Sequence, residues 1–194
     1  MQIKNEKEII KVLENGGVIA FVTDTVWGLG CLPEKEEAVK KIYDIKKREA
    51  QKPLILMSNE IYNLLEYIKP LSKQASKLIK EHFPGALTLV VEKSKKTPDY
   101  ITSNMNTVGI RIPNNEIFKR ICEIAPNHVL ATTSANLSHQ PSAKSYAQAL
   151  ENMQGLADLI IDDYGHTCEG IESTVCGVIN DEIKIFRQGA IKIS

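Results

Sequence analysis

The chain has 194 residues, of which 43% are hydrophobic, and its 24 Lys and Arg side chains balance 24 Asp and Glu side chains. This composition excludes a disordered protein, which needs low hydrophobicity and a high net charge. It also excludes a protein dominated by nucleic-acid binding, which would be basic overall. A chain of this length buries about 70% of its unfolded surface, so its core needs neither disulfides nor metal.

The predicted elements alternate between helix and strand without a Pro-, Gly- or Ser-rich linker, which predicts one α/β domain. Asn5 and Glu8 resemble a capping box ahead of a first helix, which Gly16 and Gly17 end. The other predicted helices are 38–45, 59–67, 71–83, 115–124 and 143–151. The predicted strands are 18–23, 54–57, 86–92, 108–112, 129–132, 159–162, 174–179 and 183–187, with a hairpin turn at Asn180 and Asp181. Hairpins mixed with helical crossovers predict a mixed sheet.

The neutral total is uneven along the chain. Residues 69–120 carry 10 basic and 4 acidic side chains, a net of +6, whereas residues 121–194 carry 4 and 9, a net of −5. Such asymmetry hints at an anionic partner. The excess comes mainly from scattered lysines, which we interpret as solvated surface, with weak RNA contact as the alternative.

The sequence predicts a cytoplasmic protein that does not associate with membranes, because the apolar run 18–22 is too short for a signal sequence or a membrane span. Cys31, Cys122, Cys168 and Cys176 are scattered, without a CxxC pair. We therefore expect neither a zinc site nor a disulfide framework.

The first polar segment, residues 23–30, reads TDTVWGLG. Its glycines permit a tight turn, and its hydroxyls could fix a small ligand. The alternative is a strand-to-helix turn in which Trp27 fills the core. Gly28 and Gly30 lack the third glycine of a dinucleotide fingerprint.

The second segment, residues 46–54, reads KKREAQKPL. One interpretation is a phosphate clamp, in which Arg48 supplies a bidentate fork and Lys46 and Lys52 supply point charges. The alternative is a cation cluster that opposes the negative end of a helix dipole. The sequence has no GxxxxGK[ST] loop, so any nucleotide must be held without one.

The third segment, residues 107–113, reads TVGIRIP. Strand alternation places Thr107, Gly109 and Arg111 on the face opposite Val108 and Ile110. An arginine in an otherwise apolar strand needs an anion or water as its partner. A carboxylate of a ligand and an intramolecular Asp or Glu are equally expected as that anion.

The fourth segment, residues 132–138, reads TTSANLS and is followed by Pro141 and Ser142. It suits an oxyanion or phosphate cradle, and its alternative is an ordinary capped loop. Residues 172–175 place two hydroxyl side chains at the edge of a predicted strand, and residues 187–191 begin with an arginine in a similar position. The four histidines lie in unrelated contexts, so no Ser/His/Asp catalytic set can be assembled. We therefore expect a protein that binds a phosphorylated or carboxylated small molecule and acts by positioning it and neutralising its charge, without covalent catalysis.

Together these segments resemble the TsaC/YrdC family of L-threonylcarbamoyladenylate synthases, in the family's order over nearly the whole chain. The matching strings are T-[ED]-T-V-Y-G-L-G at 23–30, KxR…KPL at 46–54, PGxxT at 84–88, G[VI]R[VI]P at 109–113, SANLS at 134–138 and ESTV within 170–175. The departures from the pattern include Trp27 for Tyr, Glu49 for Pro and His139 for Gly. Glycine tolerates a positive φ better than histidine does, so His139 is expected to affect loop geometry.

The resemblance implies a single YrdC/RibB-like α/β domain over residues 1–194, an open twisted mixed sheet flanked by helices, with a concave basic cleft. It implies ATP, L-threonine and bicarbonate as substrates, with Mg²⁺ carried by the ATP phosphates rather than by protein ligands. The implied products are L-threonylcarbamoyladenylate and pyrophosphate. The adenylate would pass to a tRNA threonylcarbamoyl-transferase complex that modifies the adenosine beside the anticodon.

The resemblance also implies roles for individual residues. Lys46, Arg48 and Lys52 would be catalytic and would bind the triphosphate. The same three would bind ATP together with Thr107, Ser134, Asn136, Ser142 and Arg187. Threonine would be held by Thr25, Arg111, Thr133 and Ser173. The alternative function is a non-catalytic protein that binds structured RNA, such as tRNA, or a nucleotide in the same cleft.

Overall fold

The computed structural model describes residues 3–47, 52–179 and 182–193. Within them the helices are α1 (Glu6–Glu14), α2 (Glu36–Lys46), α3 (Ile61–Leu64), α4 (Lys73–His82), α5 (Asp99–Thr102), α6 (Glu116–Ile124) and α7 (Tyr146–Met153), with 3₁₀ turns at Leu65–Tyr67 and Pro126–His128. The strands are β1 (Ile19–Phe21), β2 (Gly28–Cys31), β3 (Ile55–Ser58), β4 (Leu87–Glu92), β5 (Thr107–Arg111), β6 (Val129–Ser134), β7 (Leu159–Ile160), β8 (Thr174–Ile179) and β9 (Glu182–Arg187).

All the strands of the described residues join in one sheet, in the order β7-β1-β2-β6-β3-β5-β4-β8-β9. The pairs β1–β7, β3–β5 and β4–β8 are parallel, and the other neighbouring pairs are antiparallel. The predicted α/β domain, with a mixed sheet flanked by helices, is therefore confirmed. In the part of the chain that the structure describes, no helix combines the length and apolarity needed to cross a bilayer.

The start of α1 differs from the prediction. Asn5 lies in the left-handed region at φ +64°, and its side chain makes no capping hydrogen bond. The predicted capping box is wrong because a capping side chain needs an extended backbone at that residue. The predicted end is confirmed: Gly16 has φ +74°, a conformation that glycine adopts without strain.

Residues 22–27 link β1 to the antiparallel strand β2, which begins at Gly28, so the predicted strand-to-helix turn is wrong. Phe21 of β1 pairs with Gly28 of β2, and its ring lies across the glycines of that strand. A Cβ added at Gly28 would lie 2.7 Å from Phe21 Cε2, and one added at Gly30 would lie 2.9 Å from Phe21 Cε1. These glycines let β2 pack beneath an aromatic ring, a pattern that hydrophobic periodicity cannot reveal.

Three helices begin with a side-chain cap, and α5 is a short helix that the sequence analysis did not predict. The side chains of Ser72, Asn115 and Ser145 accept hydrogen bonds from backbone N–H groups at the starts of α4, α6 and α7. β6 extends to Ser134, two residues beyond its predicted end. The predicted hairpin turn at 180–181 lies outside the described residues.

Candidate functional site

A cavity of about 470 Å³ opens on one face of the sheet. Its wall combines residues from β2, β3, β4, β5, β6, β8 and β9 and from the loop that follows β1. It contains the threonine set predicted from sequence, Thr25, Arg111, Thr133 and Ser173, together with Thr107, Ser134 and Arg187 from the predicted nucleotide set. The predicted alternation in β5 is confirmed, because Thr107, Gly109 and Arg111 line the cavity while Val108 and Ile110 are buried in the core.

Arg111 is the most constrained cation of this wall, with a side chain only 3% exposed. Its Nε donates to the carbonyl of Gly85 at 3.0 Å, one terminal nitrogen donates to Thr25 Oγ1 at 2.7 Å, and the other donates to Asp24 Oδ1 at 2.6 Å. Burial lowers the pKa of Arg111, and the Asp24 carboxylate opposes that shift. Of the two anions expected for this arginine, the structure supplies the intramolecular carboxylate.

The loop that carries Thr25 is held by its own hydroxyls and by a second segment. Thr23 Oγ1 donates to the carbonyl of Val26 at 2.6 Å and accepts from the Thr25 amide at 3.2 Å. The amides of Glu169 and Gly170 donate to the carbonyls of Asp24 and Thr25. Residues 169–170 thus fix the backbone that presents the partners of Arg111.

A second cluster of polar side chains joins β4, β9, Ser142 and the segment just before β8. Arg187 pairs with the carboxylate of Glu172, which also accepts a 2.9 Å hydrogen bond from Ser142 Oγ. Arg187 donates to the Ser173 carbonyl at 2.9 and 3.2 Å, and Ser173 Oγ lies 2.7 Å from Thr88 Oγ1. Ser173 and Ser142, from the two predicted ligand sets, are therefore linked through one ion pair.

Lys46 lies apart from the cavity wall, buried beneath the segment 134–138. Its Nζ donates to the carbonyls of Ser134 and Asn136 at 2.5 and 2.7 Å and to Asn136 Oδ1 at 2.9 Å. The Asn136 side chain also accepts from Ser134 Oγ and donates to the carbonyls of Leu137 and Gln140. Within the described residues, Lys46 thus fixes the backbone of this loop, and its predicted contact with phosphate stays a prediction.

The phosphate clamp predicted from Lys46, Arg48 and Lys52 stays a prediction. Lys52 and Ser142 do not line the cavity, although Pro53, the neighbour of Lys52, does. Arg48 and the departure at Glu49 lie outside the described residues. The charged residues of the described lining are Arg111, Arg187 and Glu172. Because both arginines have a carboxylate partner, the concave basic cleft stays a prediction.

Sequence analysis gave no individual role to several polar residues of the site, among them Asp24, Thr88 and Glu172. Asp24 and Glu172 stand beside residues singled out within the same motifs, and Thr88 ends the PGxxT string. Each acts by holding a neighbour, Arg111, Ser173 or Arg187. Such a role depends on contacts between distant parts of the chain, which motif spacing does not reveal.

Two departures from the family pattern have structural outcomes. Trp27 is fully buried and packs against Tyr146 with ring centroids 5.8 Å apart, so its indole fills the core beside the cavity. His139 has φ +68°, the conformation that a glycine would adopt more easily. A non-glycine residue there costs about 1–2 kcal/mol.

The described residues contain no group of three His, Cys, Asp or Glu side chains that could hold a metal ion. The four cysteines are free thiols, and burial raises the pKa of Cys31 and Cys122 well above the ordinary value. Buried thiols of this kind are poor nucleophiles at neutral pH.

Comparison with known proteins gives consistent matches over most of the chain. The Sua5_yciO_yrdC family model, described as telomere recombination, matches residues 11–189. The threonylcarbamoyl-AMP synthase of Pyrococcus abyssi is 36% identical over 181 residues, which cover 93% of this chain and 53% of that protein. The putative threonylcarbamoyl-AMP synthase of Methanocaldococcus jannaschii is 33% identical, with 97% of this chain and 91% of that protein covered.

Solved structures agree with the fold. A crystal structure of P. abyssi Sua5 complexed with L-threonine has a TM-score of 0.88 and 35% identity, and the match covers 95% of this chain and 55% of that one. The chain therefore spans about half the length of its P. abyssi relative.

Proposed function

The chain belongs to the Sua5/YciO/YrdC family, and from this premise we propose that it is a threonylcarbamoyl-AMP synthase. It would join L-threonine, bicarbonate and ATP into L-threonylcarbamoyladenylate and release pyrophosphate. In reaction class it would be a nucleotidyltransferase.

The observation that carries the proposal is the convergence of distant segments on one cavity. Thr25, Arg111, Thr133 and Ser173 come from four separate parts of the chain, and all of them line the same wall. Each was assigned to threonine by motif alone. A cavity of about 470 Å³ falls within the range of 300–1,000 Å³ that is usual for small-molecule sites.

Arg111 supplies the recognition of the threonine carboxylate. A guanidinium has five N–H donors, and three partners, Gly85, Thr25 and Asp24, engage it among the described residues. The remaining N–H groups suit a carboxylate, because charge-assisted bonds to arginine can be bidentate. The existing partners orient the fork before the ligand arrives, which reduces the ordering cost of binding.

The reaction needs no covalent enzyme intermediate. The threonine amine and bicarbonate form a carbamate and release water. A carbamate oxygen then bonds to the α-phosphorus of ATP, the bond from that phosphorus to the bridging oxygen breaks, and the electron pair leaves with pyrophosphate. The protein would act by holding the two reactants in line and by neutralising charge.

The nucleotide would lie along the polar hydroxyls of Thr107 and Ser134 and the guanidinium of Arg187. Lys46 would act through the loop 134–138, and the roles of Arg48 and Lys52 at the triphosphate are part of the proposal. Mg²⁺ would reach the site on the ATP phosphates and would supply further charge neutralisation there.

The product would be consumed by a tRNA threonylcarbamoyl-transferase complex, and we place the protein in the cytoplasm, where tRNA is modified. A separate RNA-binding role has weaker support. Several lysines of the basic stretch 69–120 are ion-paired, Lys69 with Glu92 and Lys77 with Glu81 among them. Such pairs reduce the positive potential that RNA would meet.

The test is pyrophosphate release from ATP. We expect release that depends on both threonine and bicarbonate, and release that ignores either co-substrate would refute the synthase. Arg111→Lys should raise the KM for threonine about 10- to 100-fold, since lysine lacks the planar fork. Arg120→Lys is the matched control, because Arg120 pairs with Glu6 and Glu123 outside the cavity and should leave that KM unchanged.

A further inference from the structure

One aromatic side chain of the cavity wall is unusually exposed to solvent. Phe186 of β9 is 49% exposed, yet it lines the same cavity as Arg111. Met105, which is 42% exposed, also belongs to this wall, together with Val90 and Val175. The cavity therefore has an apolar part of its wall to which no ligand group has been assigned. The residues assigned to the nucleotide so far are all polar.

A β-bulge aims Phe186 into the cavity. Consecutive side chains of a regular strand point to opposite faces, but Phe186 and Arg187 both line the cavity. The register explains this, because Val175 pairs with Arg187 while the next residue of β8, Cys176, pairs with Ile185. Phe186 is the extra residue of the bulge, and bulges commonly re-aim a side chain beside a binding site.

The ring of Phe186 is supported from behind. A Cβ added at Gly177 would lie 3.0 Å from Phe186 Cε2 and 3.5 Å from Cζ, so the ring rests on the glycine backbone of β8. The ammonium of Lys184 lies 5.9 Å from the ring centroid. The ring is thus fixed in place by its own sheet while about half of the residue stays open.

We propose that Phe186 is the platform on which the purine base of ATP stacks, with Met105 and Val175 as its apolar surroundings. The proposal rests on the proposed function, which makes ATP a substrate. A planar base needs an apolar surface, and none of the polar residues assigned to the nucleotide offers one. Arg187, the next residue in the chain, places a cation beside the platform for the phosphate portion.

The experiment is equilibrium binding of ATP by titration calorimetry to the wild type, Phe186→Ala, Phe186→Tyr and Ile185→Ala. Base stacking on an aromatic residue corresponds to a loss of about 10- to 100-fold on truncation, so Phe186→Ala should weaken ATP binding by that factor. Phe186→Tyr keeps a stacking face and should bind ATP as the wild type does. Ile185 is 43% exposed and outside the cavity lining, so its alanine variant is the matched control and should also bind normally.

Binding of inorganic tripolyphosphate distinguishes the contribution of the base to ATP affinity from that of the phosphates. Its affinity should be the same for the wild type and Phe186→Ala, because it has no base. Equal weakening of ATP and tripolyphosphate, or ATP binding by Phe186→Ala within twofold of the wild type, would overturn the platform. If ATP binding depends on Phe186 but the wild type releases no pyrophosphate with threonine and bicarbonate, the platform stands and the synthase function fails. A wild type that does not bind ATP overturns both.

Discussion

Asp24→Ala removes the carboxylate that faces the buried guanidinium of Arg111. The two side chains are 16% and 3% exposed, and the nitrogen–oxygen distance is 2.6 Å. At an effective dielectric constant of about 20, unit charges 4 Å apart attract by about 4 kcal/mol. Removing one partner of a buried pair leaves an uncompensated charge and costs about 3–5 kcal/mol. We therefore expect the free energy of unfolding to fall by about that amount, a large part of the 5–15 kcal/mol typical of a domain.

The assay is urea unfolding at pH 7, with the free energy taken from transitions of equal slope. Asp24→Asn keeps an oxygen that can accept from Arg111 and should lose less than the alanine variant. Glu37→Ala is the control, because Glu37 is 86% and its partner Lys40 61% exposed, and an exposed pair contributes at most about 1 kcal/mol. A loss below about 1 kcal/mol for Asp24→Ala would refute the view that Asp24 compensates Arg111.

Three further outcomes are expected. Gly189→Ala should destabilise the protein by about 1–3 kcal/mol in urea unfolding and lower pyrophosphate release, because the added Cβ would clash with the backbone of Glu172 and Ser173; wild-type stability would contradict this. Asn136→Ala should cost about 1–3 kcal/mol, since it removes an acceptor of the Lys46 ammonium, and an unchanged melting curve would refute that role. Burial raises the pKa of Asp158, but hydrogen bonds from a lysine and a backbone amide outweigh it and leave that pKa lowered. A carboxyl group whose pKa is lower in the folded state stabilises the fold at pH values above its unfolded pKa. Asp158→Asn should therefore unfold with a smaller free energy than the wild type at pH 7. This difference in stability should vanish as the pH falls through the pKa of folded Asp158, which lies below 3.8. A deficit that is constant with pH would contradict this.

The sequence predicted the elements whose side chains alternate or repeat. In β5, Val108 and Ile110 face the core and Arg111 faces the cavity, as a period of two requires. β2 was missed because Gly28 and Gly30 have no side chains to form a pattern. Its position depends on Phe21 of the neighbouring strand, a contact that becomes evident only in three dimensions.

The sequence predicts which residues line the candidate site, but it does not predict which of them pair with one another. Motif strings identified Thr25, Arg111 and Ser173, and the fold brings them to one wall. The partner of Arg111 could not be chosen from sequence, because Asp24 lies 87 residues away along the chain. Lys46 likewise looks like a free cation in the sequence, whereas its ammonium is buried against loop carbonyls.

The position of Phe186 in the cavity wall could not be predicted from the sequence, for a different reason. Strand alternation places neighbouring side chains on opposite faces, so Phe186 and Arg187 could not both be assigned to the cavity from sequence. Only the bulge against Val175 allows it. Irregular positions of this kind occur where a site needs a side chain that regular geometry cannot deliver.

The most direct test of the synthase function is detection of the product itself. The purified protein would be incubated with MgATP, L-threonine and isotopically labelled bicarbonate, and the mixture analysed by mass spectrometry. We expect L-threonylcarbamoyladenylate that carries the label in its carbamoyl carbon, in amounts equal to the pyrophosphate released. ATP that is bound or hydrolysed without formation of the labelled adenylate would contradict the account.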